Sequence, residues 1–206
     1  RAIHLAHAAG FSPVKVNAVI MRGVNDDEVA DFADFALEHG IDMRLIEFMP
    51  LDSSRAWNRN QVVGADEMIE AIRPRHELIA VEEDDPSSTS MNFTFSDNSR
   101  AGRPPMAMGG RRVTSFQSEP RIGIIAPVTR PFCGACSRLR ITADGKVRPC
   151  LFSLSEWDLR SVLRSDAADE EVRRSIVNAV WTKQAGHGIG SGAFVPPERT
   201  MSAIGG

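Results

Sequence analysis

Val14-Lys15-Val16-Asn17-Ala18-Val19-Ile20 puts an apolar side chain at every second position and polar ones between, the period of a strand with one buried face. Before it, Ala2-Ile3-His4-Leu5-Ala6 reads as the tail of a helix stopped by Gly10. The chain starts at Arg1 inside that helix, so the sequence reads as truncated on this side. After it, Asn25 and Glu28 have the spacing of a capping box ahead of Val29, Phe32 and Ala36, with Gly40 as the stop. A second strand is expected from Met43 to Met49, ended by Pro50, and a further helix from Asp66 to Ile72, before Pro74. Strand and helix in alternation argue for a parallel sheet with helices outside it, an α/β barrel or part of one.

Beyond Glu82 the character changes. Glu82-Glu83-Asp84-Asp85-Pro86 and the Ser/Thr run after it read as loop, and 99–112 is rich in Gly, Pro and Arg. The expected domains are therefore 1–81 and 82–206. In the second, Ile122-Gly123-Ile124-Ile125 reads as a strand, 155–163 and 169–181 as helices, and 185–206 as an irregular tail. The whole chain of 206 residues is 42 % hydrophobic and 25 % charged, ordinary for a globular protein. A net charge of −3 gives no basic footprint for nucleic acid, and no apolar run has the length of a membrane span or the form of a signal peptide. A cytoplasmic location is expected, and local arginines remain available to a small anion.

Cys133, Cys136 and Cys150 are the three cysteines, spaced C-x2-C-x13-C. An odd, clustered set argues for a metal rather than a disulfide framework. Between the second and third, Arg138 to Arg148 reads as a hairpin turning at Asp144-Gly145, which returns Cys150 toward Cys136. Structural zinc takes four closed ligands, so the three thiolates would need His187 or His76 as well. A four-iron cluster with three cysteines would instead leave one iron open. From spacing alone structural zinc is the plainer reading. Arg138 and Arg140 tip it, since two guanidiniums on one strand face suit phosphate oxygens and a zinc ribbon needs no such clamp.

Pro131 to Lys146, running on to Cys150-Leu151-Phe152, resembles the C-terminal cluster signature of the GTP 3′,8-cyclase family, radical S-adenosylmethionine (SAM) enzymes of molybdenum cofactor biosynthesis. Val14-Lys15-Val16-Asn17, Arg22-Gly23-Val24-Asn25-Asp26, Ile46-Glu47-Phe48-Met49-Pro50 and the terminal Met201-Ser202-Ala203-Ile204-Gly205-Gly206 are similar to the family in the same order. The resemblance implies the C-terminal part of an incomplete (β/α) radical SAM barrel followed by an α+β iron–sulfur cluster domain. It implies that a SAM-derived radical removes hydrogen from the ribose C3′ of GTP, and that the carbon radical closes onto guanine C8. By motif, Cys133, Cys136 and Cys150 hold a 4Fe-4S cluster that binds the purine. Lys15, Asn17, Arg44, Arg138, Leu139 and Arg140 contact GTP, Met49 contacts SAM, and Gly205 and Gly206 reach the active site. Lys15 and Asn17 share the polar face of their strand, which would face a lumen. Arg44 and Met49 have opposite parity and share a site only if the strand breaks near Pro50.

The family's catalytic cluster needs an N-terminal three-cysteine motif, and no cysteine here is spare. The chain therefore reads as one half of the enzyme, inactive alone, partnered by the missing N-terminal half and, along the pathway, by cyclic pyranopterin monophosphate synthase, as monomer or homodimer. The stretch from Ser87 to Glu119 does not align; its Arg100, Arg103, Arg111 and Arg112 read as a solvated loop. Lys183 to His187 also looks familial, with no role assigned. Two other readings stay open: a non-catalytic zinc-binding module with an arginine anion site, and another radical SAM enzyme with an auxiliary cluster.

Overall fold

Lys15–Ile20 forms the expected strand, β1, entered from a helix α1 (Ala2–Ala8) that ends at Gly10 with φ of 86°. The computed structural model describes residues 1–51, 56–82, 85–96, 119–191 and 194–204, and the backbone alone at 107–108 and 111–112. These divide into two compact units, Arg1–Phe48 with Asn60–Arg130, and Met49–Arg59 with Pro131–Gly206. The units divide elsewhere than at the expected 81/82 boundary, because a strand near residue 121 returns to the first sheet.

In the first unit, α2 (Val29–His39) and β2 (Asp42–Glu47) follow β1, and Gly40 ends α2 in the left-handed region as the sequence suggests. The capping box expected at Asn25 and Glu28 does not form. Asn25 instead accepts from Met21 N at 2.8 Å and donates to Val19 O at 3.0 Å, closing the turn that leaves β1. A short 3-10 turn, Asp26–Glu28, then leads into α2. α3 (Ala65–Ile72) matches its expected span, with Glu67 accepting from Gly64 N at 3.2 Å.

β3 (Leu78–Val81) precedes the stretch read as loop, and β4 (Met91–Phe95) falls inside it. A two-residue ladder, β5 (Ala107–Met108) with β6 (Arg111–Arg112), precedes β7 (Arg121–Ile125). The main sheet has the order β1-β2-β7-β4-β3; β1, β2 and β7 are parallel, and β4 runs antiparallel to both of its neighbours, β7 and β3. The all-parallel sheet is thus corrected to a mixed one. Chain direction reverses because β3 and β4 are joined as a hairpin rather than through a crossover helix.

One face of this sheet is core. Ile20, Met43, Leu45, Ile122, Ile124 and Phe95 pack with Val29, Ala33, Ala36 and Leu37 of α2 and with Met68 and Ile72 of α3. Strand parity therefore sends Lys15, Asn17, Asp42, Arg44, Asn92 and Arg121 to the opposite, polar face.

In the second unit, β8 (Arg140–Ile141) pairs with β9 (Lys146–Arg148), and β9 with β10 (Trp157–Asp158), all antiparallel. The hairpin turns where expected, with Gly145 at φ 80°. α4 (Leu159–Arg164) starts later than expected, because Asp158 caps it by accepting from Ser161 N at 3.0 Å and Ser161 Oγ at 2.8 Å. α5 (Asp169–Trp181) matches its expected span. One apolar cluster of this unit joins Val147, Leu159 and Ala179, with Trp157, Val172 and Ile176 packed against them, and Phe152, Ile189 and Ile204 are also buried. Among the described residues no helix is long and apolar enough to cross a membrane.

Candidate functional site

The sulfur site lies within the second unit. Cys133 opens a 3-10 turn, Cys133–Ala135, which Cys136 closes by donating from its N–H to Cys133 O at 3.2 Å. Cys150 follows β9 in a second turn, held by Ser153 N donating to Cys150 O at 3.1 Å. The hairpin register, Arg140 opposite Arg148 and Ile141 opposite Val147, carries the chain back toward the first turn. All three thiols are free and half-buried.

Two consecutive residues beyond α5 reach two of these sulfurs. Lys183 Nζ lies 3.4 Å from Cys136 Sγ and 2.8 Å from Arg138 O, and Gln184 Nε2 lies 3.8 Å from Cys150 Sγ. Burial pushes the Cys136 thiol up, but the Arg138 backbone N–H, the Arg138 guanidinium and Lys183 together outweigh it, so the thiol sits below its usual value.

A single zinc ion holds thiolates at about 2.3 Å, so its ligand atoms lie within about 4 Å of one another. Among the described residues no three His, Cys, Asp or Glu side chains form such a group. His76, one expected fourth ligand, is buried in the first unit and bonded to Asp34 at 2.9 Å. His187, the other, accepts from Ile189 N at 3.0 Å and sets its ring edge-on to Phe152. In an iron–sulfur cluster each cysteine binds a different iron, and N–H donors aimed at the sulfurs, as from Lys183 and Gln184, suit that group.

The arginines beside the sulfurs depart from the expected clamp. Arg138 lies outside β8, exposed, with its guanidinium 4.8 Å from the centre of the Phe132 ring. Arg140 is in β8 and donates to Ile204 O at 3.3 Å. The pair is close enough to interact: burial, then Arg138, then Arg148 push the Arg140 guanidinium below its ordinary value. Leu139 is partly exposed between them. Gly205 and Gly206 lie outside the described residues, as do Arg100 and Arg103.

Arg148 is a residue the sequence reading passed over. Its side chain is 3 % exposed, pairs with Glu156 and donates to Ser153 O, so it braces the turn that carries Cys150. Arg199 joins Glu156 at 2.8 Å to Asp144 at 2.8 Å, and its guanidinium, followed by the Thr142 hydroxyl, holds the Asp144 carboxyl far below the usual range.

The first unit offers a second polar site. Lys15, Asp42, Arg44, Asn92 and Arg121 line a cavity of about 330 Å³ on the polar sheet face, rimmed by Ser87, Ser88, Thr89 and Ser90. Cross-strand register sets Lys15, Asp42 and Arg121 in one row and Asn17, Arg44 and Gly123 in the next. A Cβ on Gly123 would lie 2.5 Å from Ser90 Oγ, 3.0 Å from Asn92 Oδ1 and 3.3 Å from Arg44 Cγ, so glycine leaves the room that Arg44 uses. Lys15 and Arg44 thus come together as the sequence suggested, while Arg121 and Asp42 were missed. The row runs along the N-terminal ends of β1, β2 and β7, unlike the usual carboxyl-end sites of parallel sheets.

β2 ends at Glu47, so the strand does break before Met49. Met49 belongs to the second unit and Arg44 to the first. Glu47, fully buried, accepts from Val128 N at 2.7 Å, Thr129 N at 2.9 Å and the Thr129 hydroxyl. It holds the turn that leads from β7 into the cysteine segment.

Residues 41–189 match the family model described as Molybdenum Cofactor Synthesis C. The chain is 45 % identical over 201 residues to a GTP 3′,8-cyclase of Streptomyces coelicolor, covering 98 % of this chain and 53 % of that protein. It is 40 % identical to GTP 3′,8-cyclases of Rhodopirellula baltica, covering 99 % of this chain and 52 % of the relative, and of Mycobacterium marinum, covering 98 % and 51 %. The chain spans about half the length of these relatives. With three sulfur donors flanking a hairpin and this match over most of its length, the chain belongs to the Molybdenum Cofactor Synthesis C family.

Proposed function

We propose that this chain carries the GTP-binding, cluster-bearing part of a radical SAM GTP 3′,8-cyclase, which forms 3′,8-cyclo-7,8-dihydroguanosine triphosphate on the route to molybdopterin. The observation that carries the reading is the hairpin that sets Arg138 and Arg140 just after Cys136 and pairs Arg140 with Arg148, two residues before Cys150; burial first, then Arg138 and Arg148, lower the Arg140 guanidinium. A polyanion relieves that repulsion, and a nucleoside triphosphate is one.

In this reading Cys133, Cys136 and Cys150 hold a 4Fe-4S cluster, which when bound supplies an iron without a protein ligand as a coordination position for the purine. Arg138 and Arg140 donate to phosphate oxygens, with Leu139 against the nucleotide. Lys15, Asn17 and Arg44 contribute from the polar face of the first unit. Met49 contacts SAM, and Gly205 and Gly206 approach the substrate through backbone without side chains. SAM cleavage belongs to a second cluster, whose cysteines this sequence does not contain. The remaining half of the enzyme is then a partner, with cyclic pyranopterin monophosphate synthase next in the cytoplasmic pathway. The chain alone is expected to give no cyclised product.

Anaerobic reconstitution with iron and sulfide, followed by metal analysis and an optical spectrum with and without GTP, tests the assignment. About four irons per chain and a spectral change on adding GTP are expected. Stoichiometric zinc with no stable cluster would overturn it in favour of the zinc-binding module.

The pocket on the sheet face adds a pH dependence. Burial pushes the Asp42 carboxyl up, against the pull of Arg121, Lys15 and Arg44, and the net position is above its usual value. An anion in the pocket screens those cations and raises the carboxyl further. Anion binding then takes up a proton, so affinity falls as pH rises through the carboxyl's bound-state range. Calorimetry with inorganic tripolyphosphate between about pH 5 and pH 8 should show a steeper loss of affinity in the native chain than in Asp42→Asn. At the upper end Asp42→Asn should bind roughly three- to tenfold more tightly. Equal slopes and affinities would remove Asp42 from the account.

A further inference from the structure

The sequence left Lys183 to His187 without a role, and the structure gives its first two residues a common target. α5 is anchored through fully buried Ala179, with Val172 and Ile176, onto Val147 of β9. Its last turn is closed by Thr182 Oγ1 donating to Ala179 O at 2.6 Å and by Lys183 N donating to Val180 O at 2.9 Å. The helix end is therefore fixed to the same hairpin that carries Cys150. From that fixed end, Lys183 and Gln184 send N–H donors to different sulfurs, Cys136 at 3.4 Å and Cys150 at 3.8 Å. Lys183 also donates to Arg138 O at 2.8 Å, which prevents the ammonium from swinging away into solvent.

N–H donors directed at a thiolate disperse the charge that sulfur shares with its metal. They favour the more negative, reduced state of an iron–sulfur group, and hydrogen bonds to the sulfurs and local net charge are among the terms that set its potential. Lys183 brings a full charge, the shorter contact and a half-buried position. Gln184 is neutral, more exposed and further from its sulfur.

We infer that Lys183 and Gln184 are outer-sphere donors that raise the reduction potential of the group held by Cys133, Cys136 and Cys150, with Lys183 contributing the larger share. This rests on the reading that those cysteines hold an iron–sulfur cluster. Both act through the sulfurs and are positioning residues.

The test is a potentiometric titration, followed by electron paramagnetic resonance, of the anaerobically reconstituted chain after its iron and sulfide have been counted. Lys183→Met with full iron content should titrate at a lower potential than the native chain. Gln184→Leu should move in the same direction by less, and Lys183→Arg should stay near the native value. A fully loaded Lys183→Met with the native potential would overturn the inference. If Lys183→Met fails to load, Lys183→Arg decides. Recovery of both the cluster and a near-native potential supports the donor role, while failure to recover shows a contact needed only for folding and overturns it. Zinc in the native chain itself would be the separate failure of the cluster reading, seen before any variant is made, and the inference would fall with it.

Discussion

Replacing Arg148 with leucine is expected to remove both the stability of the second unit and its capacity to hold a cluster. Arg148 is nearly without solvent, and its guanidinium spans Glu156 and the carbonyl of Ser153, on either side of the turn that follows Cys150. Leucine fills the space of the stem and leaves Glu156, 16 % exposed, to pair with Arg199. Breaking a buried pair from one side costs about 3 kcal/mol. Urea denaturation followed in the second unit, with iron content after reconstitution, reads both effects. Arg148→Lys, which keeps the charge but not the two-pronged reach, should fall between. A leucine variant within about 1 kcal/mol of the native chain and fully loaded with iron would refute the bracing role.

Glu47→Ala should show the second large effect, in the first unit. One fully buried carboxylate satisfies the N–H groups of Val128 and Thr129 and the Thr129 hydroxyl. Removing it leaves the Val128 N–H, inside the fold, with no acceptor, and opens a space beneath β2. The expected loss is about 2–4 kcal/mol in chemical denaturation. Glu47→Gln keeps one acceptor oxygen but turns an NH2 toward backbone donors, so it should recover less than half of the loss. A chain that tolerates alanine with no shift in its denaturation midpoint would show that the turn is held by other contacts.

Elements that carry their own local signal were read from the sequence at close to their true bounds. β1 has strict alternation, α5 has apolar residues at helical spacing behind Asp169-Glu170-Glu171, and the Asp144-Gly145 turn supplies the positive φ its geometry needs. β4 was missed although Met91, Phe93 and Phe95 alternate with Asn92 and Thr94, because the Ser/Thr run before it outweighed a five-residue pattern. Asn25 illustrates a different failure. Its spacing to Glu28 fits a capping box, yet the carboxamide finds better partners across the turn at Met21 and Val19, a tertiary choice that local spacing does not encode.

The candidate site was legible by type and less so by arrangement. Three cysteines and a hairpin could be read as a sulfur site, and Lys15 and Arg44 do meet at one cavity. That Arg121 joins them depends on β7 inserting between β2 and β4, a non-local pairing. Lys183 and Gln184 reach the sulfurs across more than thirty residues of chain, through the packing of α5. Arg148 looked like any hairpin arginine, and only burial distinguishes it from Arg138.

The two units rest on different materials, and this shapes which substitutions each tolerates. The first is built on a broad apolar interface of sheet and helices, where trimming a methyl group is felt and a surface charge is replaceable. The second, among its described residues, packs one cluster of Val147, Leu159 and Ala179 on the hairpin, beside which Arg148, Glu156, Arg199 and Asp144 form one chain of charges that ties hairpin, strand and tail together. There a hydrophobic exchange of similar volume is cheap, whereas reversing a single charge unpairs its neighbour in turn. Single charge reversals in the quartet are therefore expected to cost the second unit more than apolar exchanges of similar volume.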